Sequence, residues 1–195
     1  MDNDQGQFIK QLFDPYFEAP LDLWNAFASH LTKRTFKKNE ILKEENKTEK
    51  YINIIITGSV GVFLWADNNT KCLDLFYDQY FCCDYMSFLE QKPSLLFTQA
   101  LEKTDVYSIS HSDVSNLYFE SVVGLQIVKA AAQSLFIHKQ RQQIELMTLS
   151  AEERYKKLLT EEPEIIQRTA AKDIASYLGI APESISRIRK KMAID

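Results

Sequence analysis

The sequence predicts an α+β fold in which a small β-barrel or sandwich is followed by a long helix and a compact helical tail. Three observations carry that prediction. Short β-branched and aromatic runs alternate with polar turns from Thr35 to about Ile109. A stretch from Ser112 to Leu149 holds no proline and only one glycine, Gly124. The last thirty residues then carry two apolar periods of helical spacing separated by Gly179.

The chain begins with a helical reading. Between Phe8 and Lys33, residues Leu21, Trp24, Phe27, Ala28 and Leu31 recur at helical spacing, with Pro20 suited to a helix start and Asp22 to its first turn. The strand-like runs are Ile41-Leu42, Tyr51 to Ile56, Val60 to Trp65, Leu73 to Tyr77, Leu96 to Leu101 and Val106 to Ile109. They are separated by Lys37-Lys38-Asn39-Glu40, Thr57-Gly58-Ser59, Ala66-Asp67-Asn68-Asn69 and Gln91-Lys92-Pro93-Ser94. Strands this closely spaced suit a small barrel or sandwich.

As one helix, residues 112–149 would extend roughly 57 Å, further than a small barrel is wide. Leu125, Val128, Ala132 and Leu135 step by three and four residues, as in the seam of a two-helix contact. A second copy of the chain is the simplest partner, so a homodimer is expected. Ser150-Ala151-Glu152-Glu153 is a capping-box pattern that opens a new helix, ended by Glu161-Glu162-Pro163. The expected divisions are therefore 1–111, 112–149 and 150–195.

Charge separates along the chain. Residues 1–149 hold 14 basic and 19 acidic side chains, a net of −5, whereas residues 168–194 hold six basic and two acidic, a net of +4. Arg168, Lys172, Arg187, Arg189, Lys190 and Lys191 thus concentrate positive charge at the C-terminal end.

The tail from Thr169 to Met192 organises that charge. Thr169 is a candidate N-cap for a short helix that turns Ile174, Ala175 and Leu178 inward. Gly179 supplies the left-handed backbone of a tight turn, Ile180 plugs the space between helices, and Pro182 fits the first position of the next helix. With Ile185 and Ile188 facing the core, Glu183, Ser184, Ser186, Arg187 and Lys190 face outward. This is a helix-turn-helix, whose second helix suits a major groove of double-stranded DNA. Arg187 can donate two hydrogen bonds to guanine and Glu183 can accept from cytosine, with Ser186 beside them as a third base-reading candidate. Thr169, Lys172, Ser184, Arg189, Lys190 and Lys191 are the candidate phosphate contacts. A ligand-sensing adaptor, with the trihelical tail docking a protein, is the alternative.

These segments resemble the Crp/Fnr family, the catabolite-activator-like regulators. The resemblance runs through Lys38-Asn39-Glu40-Ile41-Leu42, Gly58-Ser59-Val60, Phe81 to Glu102, the long helix and Asp173 to Ile188. It implies a cyclic-nucleotide-binding-type β-roll of jelly-roll form, a dimerisation helix, a winged helix-turn-helix, base contacts from Glu183 and Arg187, and RNA polymerase as a further partner. Ala181 stands where the family has a hydroxyl N-cap, and the short remainder after residue 192 implies a reduced or absent wing. The family's Gly-Glu pair at the ribose reads Cys83-Asp84 here, and no arginine falls between Lys92 and Thr98 to pair a cyclic phosphate. Cyclic AMP is therefore not the expected effector. An effector pocket, if present, is expected at Cys83, Asp84, Tyr85, Ser94, Leu95 and Leu96, holding an unknown small molecule or collapsed on Leu95, Leu96 and Phe97.

Other chemistries find little support. Cys72, Cys82 and Cys83, with His30, His111 and His138 scattered, give no metal-ligand spacing, so neither a metal nor a cofactor is expected. Redox sensing through Cys82-Cys83 ranks behind an apolar or closed pocket. No nucleophile–base pair, convergent carboxylates or phosphate-binding glycine loop points to an enzyme, and the chain has only five glycines. The acidic, polar start and the absence of an apolar run of about 18 residues lead to an expectation of a cytoplasmic protein with no membrane partner.

Overall fold

The computed structural model describes residues 3–66, 68–120 and 122–192. Two short helices open the chain, α1 (Asn3–Phe13) and α2 (Leu21–Ala28). The single helical segment read from Phe8 to Lys33 is thus divided. Pro15 and Pro20 lie in the break, and Pro20 precedes α2 with Asp22 in its first turn. Phe13 stacks on Trp24 across the break, ring centroids 5.9 Å apart. Lys33 belongs to a strand instead.

Eight strands follow: β1 (Thr32–Phe36), β2 (Ile41–Lys43), β3 (Tyr51–Thr57), β4 (Val60–Ala66), β5 (Asn69–Phe76), β6 (Phe81–Cys82), β7 (Leu96–Ala100) and β8 (Thr104–Ser110). They form two antiparallel four-stranded sheets, ordered β1-β8-β3-β6 and β2-β7-β4-β5. This is the jelly-roll type of β-roll, closed around Phe36, Ile55, Val60, Val62, Phe76, Cys82, Ala100 and Val106. A short helix, α3 (Tyr85–Glu90), sits between β6 and β7. Gly58 turns β3 into β4 at φ +114°, and a Cβ there would meet Thr104 Cα at 2.6 Å, so only glycine fits. Asp67, one residue of the predicted turn after β4, lies outside the described residues.

The predicted 38-residue helix is two helices, α4 (His111–Glu120) and α5 (Val122–Thr148). Gly124 lies directly against α4: a Cβ would meet the Leu117 carbonyl oxygen at 2.7 Å. The glycine thus lets the end of one helix approach the start of the next. α5 alone is roughly 40 Å long. Ile127 joins Ile9, Phe13, Trp24, Phe27, Ile54, Ile109 and Leu117 in a core between the terminal helices and the outer face of the β1-β8-β3-β6 sheet.

Among the described residues, four further helices follow: α6 (Ala151–Glu161), α7 (Pro163–Arg168), α8 (Ala171–Tyr177) and α9 (Pro182–Met192). The predicted capping box is present. Glu153 N–H donates to Ser150 Oγ at 3.3 Å, and Ser150 N–H donates to Glu153 Oε2 at 2.8 Å. Their core is continuous with the β-roll, because Tyr155, Leu158, Ile165, Ile174, Ala175, Leu178, Ile185 and Ile188 cluster with Phe63, Cys72, Leu75, Tyr77 and Phe97. Residues 193–195, where any remainder of a wing would begin, lie outside the described residues.

Candidate nucleic-acid interface

The helix-turn-helix is built from local chemistry. Ile174 and Ala175 are fully buried, and the small alanine allows a close helix crossing. Gly179 has φ +66°. Its N–H donates to the Ser176 carbonyl at 3.0 Å, and Ile180 N–H donates to the Ala175 carbonyl at 2.9 Å. These two bonds end α8 in a Schellman motif. Pro182 then starts α9, and Ile185 and Ile188 lock it onto the core. Glu183, Ser186, Arg187 and Lys190 are left exposed on one face, with Ser184 half-buried behind them. Arg187 Nη2 reaches Ser184 Oγ at 3.5 Å, a weak contact that leaves the guanidinium at the surface.

The predicted phosphate set divides. Lys172 and Lys190 are exposed. Thr169 is not available: it is buried, and its hydroxyl shares a hydrogen bond with the buried Tyr77 hydroxyl. Nor is it the N-cap of α8, which is Ala170; Thr169 closes α7. Arg189 Nε donates to Tyr155 Oη at 2.7 Å, and Lys191 Nζ pairs with Glu152 at 2.7 Å. Both side chains are drawn back toward α6. Arg168, counted with the basic tail, also turns inward, where it meets Asp78 and Glu102 of the β-roll.

The proposed effector pocket divides as well. Lys43 Nζ lies 2.8 Å from Asp84 Oδ2, 2.8 Å from Ser94 Oγ and 2.7 Å from the Leu96 carbonyl. Ser94 Oγ also donates to Asp84 Oδ2, and Asp84 Oδ1 caps α3 by accepting from Ser87 N–H at 3.2 Å. Asp84 N–H donates to buried Glu49 at 3.2 Å. Burial pushes the Glu49 carboxyl above its usual range, against opposing backbone hydrogen bonds. The position expected for an effector at Asp84 and Ser94 thus holds the chain's own ammonium and two carboxyl groups, Asp84 and Glu49. The cation of this cluster is Lys43, carried by β2 and engaged by Asp84, Ser94 and the Leu96 carbonyl. Sequence alternation did not reveal it, because a register shift between Ile41 and Lys43 turns the lysine inward. Leu95 is exposed rather than collapsed into a closed pocket, whereas Phe97 is buried and stacks on Phe63. Cys83 and Tyr85 instead line a separate cavity of about 610 Å³ between the β-roll and α5, bounded by Tyr80, Ile137 and Arg141.

Burial pushes the thiols of Cys72 and Cys82 well up from their ordinary range, which disfavours the reactive thiolate. Among the described residues, no group of three His, Cys, Asp or Glu could hold a metal ion, and no helix is long and apolar enough to cross a membrane.

In the single chain the residues of the predicted seam divide between two sides of α5. Val128 and Leu135 turn toward the chain's own β-roll, where they line cavities with Ile52, Phe81 and Tyr85. Leu125 remains exposed and Ala132 half-buried, and they share the solvent side with Val122, Phe136, Ile144 and Met147.

A jelly-roll, a long helix and a helix-turn-helix in this order are the architecture of the Crp/Fnr regulators, and the chain has that fold. No protein-family model and no curated protein sequence matches it. Among solved structures, it resembles the regulator CLP of Xanthomonas campestris, described as c-di-GMP responsive, at 19% identity and a TM-score of 0.70, covering 90% of this chain and 93% of that one. It resembles FixK2 of Bradyrhizobium japonicum at 22% identity and a TM-score of 0.68, covering 84% and 85%. A putative transcriptional regulator of the Crp/Fnr family from Eubacterium rectale matches at 16% identity and a TM-score of 0.68, covering 94% and 88%.

Proposed function

We propose that this chain is a sequence-specific DNA-binding transcription regulator, acting as a homodimer on a two-fold operator and not governed by cyclic AMP. One observation carries the reading. A helix anchored by buried Ile185 and Ile188 behind the Gly179 turn holds Glu183, Ser186, Arg187 and Lys190 together on an open face. That face offers a fork donor for guanine, an acceptor for cytosine and a cation for the backbone. On this reading, residues 1–111 are the sensor-type domain, 112–149 the dimerisation segment and 150–195 the DNA-reading domain. RNA polymerase is the expected further partner, the cytoplasm the expected compartment, and no catalysis is assigned.

The test is a binding selection on random duplex DNA with purified full-length protein, followed by affinity measurements across a salt series. The expected result is an inverted repeat whose half-sites are about one helical turn apart, with affinity falling steeply as salt rises. Arg187→Ala should cost about 1–3 kcal/mol at the best site and relax preference at one position per half-site. No retained DNA, together with salt-insensitive capture of a protein by the tail, would favour the adaptor reading instead.

A further inference from the structure

The corner between α7 and α8 is fastened to the β-roll by several independent contacts. Arg168 Nη2 donates to Glu102 Oε1 at 2.6 Å and to the Gly58 carbonyl at 2.9 Å, Nε donates to the same Glu102 oxygen at 3.0 Å, and Nη1 donates to Asp78. The guanidinium carbon lies 5.1 Å from the centre of the Tyr77 ring. Thr169 bonds the Tyr77 hydroxyl, and Cys72 N–H of β5 donates to Ser176 Oγ of α8 at 2.7 Å. Asp78 is itself fixed by accepting the Gly58 N–H at 2.8 Å.

This docking covers one side of α8 and leaves the outer face of α9 open to solvent. The helix-turn-helix therefore need not leave the β-roll to expose its reading face. An arginine suits the corner because its planar fork meets two carboxylates and a carbonyl at once, which an ammonium on a flexible stem does not reproduce.

We infer that Arg168 is a positioning residue that fixes the direction of α9 relative to α5 through the β-roll, and so sets the half-site spacing a dimer accepts. The inference rests on the DNA-reading proposal above. Two recognition helices gain avidity only if both can engage at once, so their relative direction converts into discrimination between spacers.

The experiment uses the full chain as wild type, Arg168→Lys and Arg168→Gln, on the selected half-site repeated with spacers changed one base pair at a time. The wild type should show one sharp optimum, with affinity lost by about a hundredfold off-spacing. Arg168→Gln should weaken the optimum and flatten the profile to within about tenfold, while its affinity for a single half-site stays unchanged. Arg168→Lys should lie between. Hydrogen exchange at residues 70–76 reads the docking without DNA, and should quicken in Arg168→Gln if the corner is fastened as described. A spacing profile identical to the wild type, unchanged exchange, or tighter binding at the optimum would overturn the positioning role while leaving DNA reading intact. A wild type that retains no DNA would overturn both.

Discussion

The Lys43 ammonium lies 2.8 Å from the Asp84 carboxylate with the two side chains only 3% and 0% exposed. An ion pair withdrawn this far from water adds little net stability but is costly to break on one side. Lys43→Met should therefore destabilise the fold by about 3–5 kcal/mol, because Asp84 is left charged and under-partnered. Combining it with Asp84→Asn, which keeps an oxygen for the α3 cap, should recover much of that loss. Urea unfolding of the two single variants and the double variant measures this. Additive losses would show that the two groups are not coupled as their geometry requires.

The same pair bears on ligand choice. A cyclic phosphate entering at Cys83-Asp84 would meet the Asp84 carboxylate, with Glu49 one hydrogen bond away, and the nearest ammonium already engaged. Isothermal titration with cyclic AMP should give no saturable heat up to millimolar nucleotide, and the melting temperature should not move. Micromolar binding would show that Lys43 can exchange Asp84 for the phosphate.

DNA affinity should separate the cations and hydroxyls that sequence grouped together. Lys190→Ala should lower the slope of log affinity against log salt by about one for each protomer, since Lys190 is exposed beside the reading face. Thr169→Val should leave that slope unchanged. Its cost should appear in unfolding instead, at about 1–3 kcal/mol for stranding the buried Tyr77 hydroxyl. Fluorescence polarisation across a salt series, paired with urea unfolding, distinguishes the two; a reduced slope in Thr169→Val would restore it as a phosphate contact.

What sequence revealed and what it did not follow from the range of the interactions. Gly179, Pro182 and the buried Ile174, Ala175, Ile185 and Ile188 act within one motif, so their spacing announces the helix-turn-helix. Dense runs such as Tyr51 to Ile56 and Val60 to Trp65 likewise announce strands. β1 was hidden because Thr32, Lys33, Arg34 and Thr35 leave only Phe36 buried in that strand, and its pairing with β8 lies some 70 residues away. The phase of α5 depends on which side the β-roll covers, so periodicity found the apolar residues but could not tell that Val128 and Leu135 line the side toward the β-roll in the single chain. Thr169 was assigned to the wrong surroundings, and the role of Arg168 was not seen, for a related reason. Their partners Tyr77, Asp78 and Glu102 lie far back in the chain, and no local pattern marks a cation for an inward ion pair or a hydroxyl for burial.

The corner contact also carries a pH signature. Burial alone would raise the Asp78 carboxyl, but its hydrogen bonds from Arg168 and Gly58 outweigh this and hold it below the usual carboxylate range. A carboxylate with a depressed folded value contributes stability above its unfolded value and loses it as pH falls through the folded one. Stability should therefore decline below about pH 4 through this group, and Asp78→Asn should remove that part of the decline. The carboxylate is partly exposed, so solvent screening keeps the effect modest. Thermal unfolding from pH 5 to pH 2.5 should show the two proteins converging at the acid end; a constant gap would deny Asp78 its part in the linkage.

Oligomeric state should depend on the solvent side of α5 and not on the residues facing the β-roll. Val122, Leu125, Ala132 and Phe136 fall at steps of three, seven and four residues, the spacing of a two-helix seam, and Phe136 is 69% exposed in the single chain. Ile144 and Met147 continue the apolar side for a further three turns of helix. An apolar stripe this long on one helix is hidden most simply by its own copy across a two-fold axis. Phe136→Glu places two like charges near that axis and should convert the dimer to a monomer in sedimentation at micromolar concentration. Leu135→Ala, by removing apolar packing between α5 and the β-roll of the same chain, should lower the melting temperature while the protein sediments as a dimer. Should Phe136→Glu stay dimeric while Leu135→Ala dissociates, the seam would lie on the face now assigned to the β-roll, and α5 would have to turn about its axis when the dimer forms.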